Sequence, residues 1–147
     1  MIHYVLMDES HVSAVAALEQ SCFTMPWSER AIRSELSNPV AFWLVAMDGD
    51  RVVGYIGSQV VLDEADVMNV AVDPAYRRQG VANGLVNALV EGLSCREVCR
   101  LTLEVRASNE PAKALYEKLR FAVAGRRPNY YAAPKEDALI LRKEWSL

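Results

Sequence analysis

The densest chemistry in this chain lies in one segment, Val70-Ala71-Val72-Asp73-Pro74-Ala75-Tyr76-Arg77-Arg78-Gln79-Gly80-Val81-Ala82. An apolar run stops at Asp73-Pro74, two arginines follow, and Gly80 and Ala82 stand where a helix would begin. In outline this is an anion site. The first N–H groups of a helix have no internal partner, and the helix dipole places positive potential there. Gly80 lets a ligand approach the backbone closely, Ala82 keeps the surface low, and Arg77 and Arg78 add mobile positive charge. The expected guest is a pyrophosphate. A Walker loop would need Lys-Ser/Thr after its second glycine, and the dinucleotide fingerprint needs three glycines; neither fits. An ordinary strand-to-helix turn with a glycine near the helix start is the structural alternative.

Other chemistries are poorly supplied. His3 and His11 are the only histidines, both near the start and without triad context. Cys22, Cys95 and Cys99 are too few and too scattered for a disulfide framework and indicate a reducing compartment. Cys95 and Cys99 lack nearby partner ligands, so a structural role as small buried hydrophobes is expected, and no metal site. Lys+Arg total 16 and Asp+Glu 19, a net charge of -3, so the surface as a whole would repel a nucleic-acid backbone. The start MIHYVLMDES lacks the basic and apolar regions of a signal peptide, and no stretch nears the ~18 apolar residues of a membrane span. A cytoplasmic protein is expected, with neither nucleic acid nor membrane as a direct partner. A hydrophobic content of 52% over 147 residues supports one packed domain, 1–147.

The elements that must position the arginine-rich turn can be read from periodicity. Ile2 to Met7 suggests an edge strand. Asp8 to Ser10 offer caps for a helix over 10–21, with Val12, Val15, Ala16 and Leu18 as its apolar stripe. Ser28 caps a second helix, Glu29 to Leu36, stopped by Ser37-Asn38-Pro39. Val40 to Met47, Val52 to Leu62 and Val67 to Val72 form an antiparallel meander, its first turn at Asp48-Gly49-Asp50. Gly80 to Leu93 is a helix with a wide apolar face at Val81, Ala82, Leu85, Val86, Leu89, Val90 and Leu93. The strand Val98 to Val105 turns Leu101, Leu103 and Val105 to one face and Thr102 and Glu104 to the other. Strand, helix and strand make one βαβ crossover, so those two strands should be parallel. Asn109 caps a further helix with Ala114, Leu115 and Leu119 facing inward. Phe121 to Gly125 and Ala138 to Leu141 close the sheet, joined by an irregular loop holding Pro128, Asn129, Tyr130 and Tyr131.

The sum is a mixed α/β (α+β) domain. Arg77-x-x-Gly80-x-Ala82, following V-A-V-D-P-A-Y-R, resembles the Q/R-x-x-G-x-G/A motif of the GNAT superfamily of N-acetyltransferases. Further pieces resemble its bacterial ribosomal-protein alanine N-acetyltransferase branch: Pro26-Trp27-Ser28-Glu29, Leu103-Glu104-Val105-Arg106-Ala107-Ser108-Asn109, Ala114-Leu115-Tyr116, and Arg127 to Tyr131 with Glu136-Asp137-Ala138. The likeness runs from about residue 20 to 142. Two departures concern the acceptor side: Leu119-Arg120-Phe121 stands where the family has Leu-Gly-Phe, and Ala132-Ala133 delay to Pro134 a proline that usually follows the paired tyrosines.

The resemblance implies a GNAT-like fold, a mixed and mostly antiparallel sheet of about six or seven strands with helices on both faces, splayed between strands 4 and 5. It implies acetyl-CoA as co-substrate, no metal, and the N-terminus of a protein, a ribosomal protein, as acceptor. Backbone of Val70, Ala71 and Val72 would pair with the pantetheine arm, and Arg77, Arg78, Gln79, Gly80, Val81, Ala82 and Asn83 would form the pyrophosphate turn. Glu104 becomes the candidate proton acceptor for an amine whose ordinary pKa is about 8. Apolar surroundings would have to raise a glutamate's ~4.3 for that task; the alternative is an outward carboxylate paired with Arg106. Tyr116 becomes the candidate proton donor to the departing thiolate, or else a core tyrosine with its hydroxyl on backbone. Asn109 either caps its helix alone or also bonds the carrier. Trp27, Tyr130 and Tyr131 either wall the acceptor site or merely pack their loops. A lysine side chain, a small amine, or a CoA-binding module without turnover remain alternatives for function.

Overall fold

The computed structural model describes residues 1–132 and 134–147, so the Ala133 part of the departure noted above lies outside the described residues. Along the chain run β1 (Ile2–Leu6), α1 (Val12–Cys22), α2 (Glu29–Glu35), β2 (Ala41–Asp48), β3 (Arg51–Val61), β4 (Glu64–Val72), α3 (Val81–Ser94), β5 (Arg100–Arg106), α4 (Glu110–Lys118), β6 (Ala122–Ala132) and β7 (Lys135–Glu144). The strands form one seven-stranded sheet in the order β1-β2-β3-β4-β5-β7-β6. Neighbours are antiparallel except β4 and β5, the two ends of the expected crossover.

Helices cover both faces. α1 and α2 bury Val12, Val15, Ala16, Leu18 and Ile32 against Trp43, Val45 and Tyr55. α3 and α4 pack on the opposite face through Val81, Leu85, Val86, Leu89, Leu93, Tyr116 and Leu119. Leu85, Leu89 and Leu93 are all 0% exposed, and each contributes about 1.5–3 kcal/mol of transfer free energy. The caps work as their residue types suggest. Ser28 accepts from Ala31 N–H at 3.0 Å and Asn109 from Ala112 N–H at 3.2 Å. His11 closes a capping box by accepting the Asp8 N–H at 3.0 Å, which gives one of the two histidines a structural task.

The feature that opens the sheet is where β4 and β5 part. They pair only at Glu64–Arg100, Ala65–Leu101 and Asp66–Thr102. Beyond Asp66, β4 keeps β3 on one side but has no ladder partner on β5. A bulge lies in the same stretch: Gly57 faces Asn69 while Ser58 faces Val67, leaving Met68 as the extra residue. Two consecutive side chains, Met68 and Asn69, therefore fall on the α1 face before alternation resumes. Gly57, opposite Asn69, is required to be glycine because a Cβ there would lie 2.4 Å from the Trp43 ring.

Three expectations fail. The span 126–132 is strand, not irregular loop: β6 and β7 form a long hairpin interrupted where residues 128–130 oppose only Asp137. On α4 the inward face is rotated by about one residue, so Ala114 is exposed, Leu115 half-buried and Tyr116 buried. Cys95, expected to be buried, is exposed, and all three cysteines are free.

Candidate active site

Glu104 sits mid-strand in β5. Its neighbours Leu103 and Val105 are buried on the α3/α4 side, which turns Glu104 to the α1/α2 side. The carboxylate is half-buried, with Arg127 Nε 3.6 Å from Oε1. Tyr130 faces it as well: its interaction with the Glu104 carboxylate, then burial, hold the Tyr130 phenol above its ordinary range. The hairpin irregularity explains how Arg127 and Tyr130 reach one group. Asp137 fastens the bulge by accepting Asn129 N–H at 2.8 Å and Arg126 Nε at 2.7 Å. These two donors, the backbone N–H first, hold the Asp137 carboxyl below its ordinary range.

One alternative and one expectation for Glu104 are thereby corrected. Among the described residues its ion pair is with Arg127, while Arg106 meets Glu136 at 3.3 Å, donates to the Pro134 carbonyl at 2.8 Å and stacks over Tyr131 at 4.3 Å. Nor is its shell the apolar one that the proton-acceptor reading called for, since a guanidinium lies beside it. Asp66, not singled out in the sequence, shares this environment. Burial, then the nearby Glu64 and Glu104 carboxylates, raise its pKa.

Tyr116 lies beneath the opposite face of the sheet, 4% exposed. The end of α4 fixes it. Phe121 N–H donates to Tyr116 O at 2.9 Å and Arg120 N–H to Glu117 O at 3.0 Å, a Schellman closure with Arg120 in the left-handed region at φ 73. The ring of Phe121 then packs edge-on against Tyr116, with centroids 5.3 Å apart. Arg120 thus holds the backbone shape for which the family uses glycine, at a cost of about 1 kcal/mol, and the departure bears on Tyr116 rather than on the β6–β7 hairpin. Burial pushes the Tyr116 phenol up to about 12. Among the described residues no protein group hydrogen-bonds its hydroxyl, contrary to the core-tyrosine alternative.

Between β4 and α3, a 3-10 turn at Pro74–Tyr76 is capped by Asp73, which accepts Ala75 N–H at 2.9 Å. Arg78 has φ 63, and Gly80, at φ 79, is the N-cap of α3. The first helical bond runs from Gly84 N–H to Gly80 O at 2.9 Å, so the amides just before it begin the helix without internal acceptors. Among the described residues, its chain neighbours aside, a Cβ at Gly80 would meet no atom within 4 Å. Protein packing therefore leaves this cradle open, as a bound diphosphate would require. The Arg77 guanidinium reaches back to Val72 O at 3.4 Å and toward Cys22 Sγ at 3.8 Å. Asn109 spends its side-chain oxygen on capping α4.

The three aromatics do not form one wall. Tyr130 and Tyr131 make an edge-on pair, 5.1 Å between centroids, on β6. Trp27, in the α1–α2 loop, packs edge-on against Trp43 at 5.4 Å, and among the described residues it makes no ring contact with the tyrosines. A surface hollow of about 740 Å³ along α1, lined by Leu18, Met47, Arg51 and Asp73 among others, includes neither Glu104 nor Tyr116. Among the described residues no group of His, Cys, Asp and Glu could hold a metal ion, and no helix is long and apolar enough to cross a membrane.

Sequence reading missed Glu19, which is 0% exposed. It accepts hydrogen bonds from Tyr55, from Asn69 Nδ2 at 2.7 Å and from Trp27 N–H at 2.9 Å. The available signal was its place on the stripe: 12, 15, 16 and 19 recur at helical spacing, and one of the four is charged.

The chain belongs to the acetyltransferase (GNAT) family, whose sequence pattern matches residues 12–121. It is an N-acetyltransferase of that family. It is 39% identical over 137 residues to the [ribosomal protein bS18]-alanine N-acetyltransferase of Escherichia coli (strain K12), covering 92% of each chain. The crystal structure of the ribosomal-protein-S18-alanine N-acetyltransferase from Escherichia coli superposes with a TM-score of 0.91 at 37% identity, over 100% of this chain and 96% of that one. Arabidopsis thaliana NAA60 in complex with acetyl-CoA shares the fold at 17% identity, TM-score 0.90, over 99% of this chain and 100% of that one.

Proposed function

We propose that this chain transfers the acetyl group of acetyl-CoA to the α-amine of an N-terminal alanine on a ribosomal protein of the bS18 kind, in the cytoplasm. The attack is direct, with both substrates bound together. The observation that carries the reading is the placement of a carboxylate and an unpartnered phenol on opposite faces of a sheet that opens between β4 and β5. The names of the 39%-identical relative and of the superposing crystal structure support the choice of acceptor.

Acetyl-CoA supplies the thioester whose acetyl group is transferred. Val70, Ala71 and Val72 offer backbone groups without a β5 partner, where an extended arm can add like a strand. Amides from Arg78 to Asn83 at the start of α3 hold the diphosphate, with Arg78 adding charge. Trp27, Tyr130 and Tyr131 border the acceptor from two sides. Glu104 takes the proton of the incoming ammonium, directly or through one water, and passes it to solvent; the free amine then attacks the thioester carbonyl, the C–S bond breaks, Tyr116 protonates the leaving thiolate, and the second proton that the nitrogen sheds on becoming an amide restores the phenol. Arg127 and Tyr130 keep the Glu104 carboxylate oriented toward the acceptor side.

The test compares two peptides with acetyl-CoA, one with a free N-terminal alanine and one with the same sequence blocked at its N-terminus and carrying an internal lysine. The expected result is one acetyl group on the α-amine of the first and none on the second, read by fragment mass spectrometry. Equal acetylation of the blocked peptide would overturn the acceptor assignment. Binding of acetyl-CoA with no product on any amine would leave a carrier-binding module in its place.

A further inference from the structure

Glu19 is a carboxylate in a costly position. It is fully buried and lies in the last turn of α1, where the helix dipole disfavours negative charge. Among the described residues no Lys, Arg or His forms an ion pair with it. A buried carboxylate is held there only by complete hydrogen bonding, and its donors come from three separate elements. Trp27 N–H donates to Oε1 from the α1–α2 loop at 2.9 Å. Asn69 Nδ2 donates to Oε2 from β4 at 2.7 Å, and the Tyr55 hydroxyl donates to the same oxygen from β3.

The donors are tied to one another as well. Tyr55 stacks on Trp43 at 5.9 Å, and Trp43 meets the Trp27 ring at 5.4 Å. Trp27 is thus gripped by its ring and by its backbone. Asn69 lies on the α1 face in phase with Ala71, next to Met68, the extra residue of the β4 bulge. The residue after Asn69 is Val70, where the stretch proposed to carry the acetyl donor begins. Burial, then Glu19 itself, raise the Tyr55 pKa, so its hydroxyl stays a donor.

We propose that Glu19 is a positioning residue for acetyl transfer: its two oxygens fasten the acceptor-side loop at Trp27 to the acetyl-side strand at Asn69, setting the gap in which amine and thioester meet. This rests on the reading above in which Glu104, on the α1/α2 face, takes the acceptor's proton. Glu19 touches neither substrate.

The test exploits the similar sizes of acid and amide. Glu19→Gln sets an amide N–H₂ against a donor, and Asn69→Asp sets two carboxylates face to face. The double variant exchanges the two groups and restores a donor–acceptor pair. Each single variant is expected to raise the KM for the alanine peptide about tenfold, with kcat and the acetyl-CoA KM changing less than about threefold. The double variant should recover to within about threefold of wild type. Hydrogen exchange at the Trp27 amide should speed up in Glu19→Gln and slow again in the double variant. Should Glu19→Gln fail to fold, Tyr55→Phe removes one donor while keeping the ring, and the peptide KM should rise in the same direction by a smaller factor. Single variants that lose thermal stability with the peptide KM unchanged would reduce Glu19 to a packing role and overturn the proposal, as would peptide and acetyl-CoA KM rising together. An active wild type with a flat cycle overturns this proposal alone, whereas a wild type that acetylates no free α-amine overturns the acceptor assignment on which it rests.

Discussion

Glu104→Gln lowers kcat by about 10²–10³-fold and leaves the acetyl-CoA KM within about twofold of wild type. An N-terminal amine with an ordinary pKa of about 8 arrives protonated at neutral pH and cannot attack until it loses that proton. Glu104 is the carboxylate on β5 and is turned to the α1/α2 face, with Leu103 and Val105 turned into the core beneath it. The amide of glutamine keeps the shape, but it takes no proton. Stability should hardly change: Arg127, the ion-pair partner, is 56% exposed and 3.6 Å away, and such pairs are worth at most about 1 kcal/mol. The donor contacts assigned to Val70–Val72 and to Arg78–Asn83 lie on other elements, so donor affinity is spared. A large rise in the acetyl-CoA KM, or unchanged turnover at neutral pH, would remove Glu104 from proton transfer.

Tyr116→Phe lowers kcat by about 10²-fold while leaving the melting temperature unchanged. The two halves of that prediction have one cause. The hydroxyl has no protein partner among the described residues, so its removal orphans nothing, whereas losing a made hydrogen bond would cost about 1 kcal/mol. The ring, held by Phe121 and the turn at Arg120, stays where it is. Because burial pushes the phenol up to about 12, it is fully protonated at neutral pH and remains a proton source well above it. A kcat profile between about pH 7 and 10 should therefore show no basic limb from Tyr116. Loss of stability without loss of turnover would make Tyr116 a core residue and nothing more.

The fold was legible wherever one period dominated a segment. The apolar faces of α1 and α3 fell where the periodicity placed them, because a helix burying one stripe has little freedom to rotate. The parallel β4–β5 pair followed from the handed crossover through α3, and the side chain of Glu104 from strict alternation along β5. What failed depended on tertiary contacts. Pro128, Asn129 and Tyr130 have loop composition, yet strand pairing continues on either side of them because Asp137, eight residues beyond Asn129, takes up their amide and the Arg126 guanidinium. The bulge at Met68 leaves no mark in D-V-M-N-V-A-V, since it consists of register against β3. Leu115 is the more apolar of the neighbouring pair, yet Tyr116 is the buried one, its ring packed against Phe121 beyond the Schellman turn at Arg120. Glu19 sat on an apolar stripe in plain view, and its three donors come from elements that only the folded sheet brings together.

The account depends on acetyl-CoA entering the β4–β5 opening with its diphosphate on the start of α3. Amide hydrogen exchange with and without acetyl-CoA tests this most directly. Protection should rise in two segments, 70–72 and 78–83, with β1 and β6 unchanged. It should weaken at least tenfold in acetyl-CoA concentration for Gly80→Ala, a variant whose Cβ meets no protein atom within 4 Å and whose backbone strain is about 1–2 kcal/mol. Absence of protection at saturating acetyl-CoA, or protection confined to segments away from β4 and α3, would contradict it.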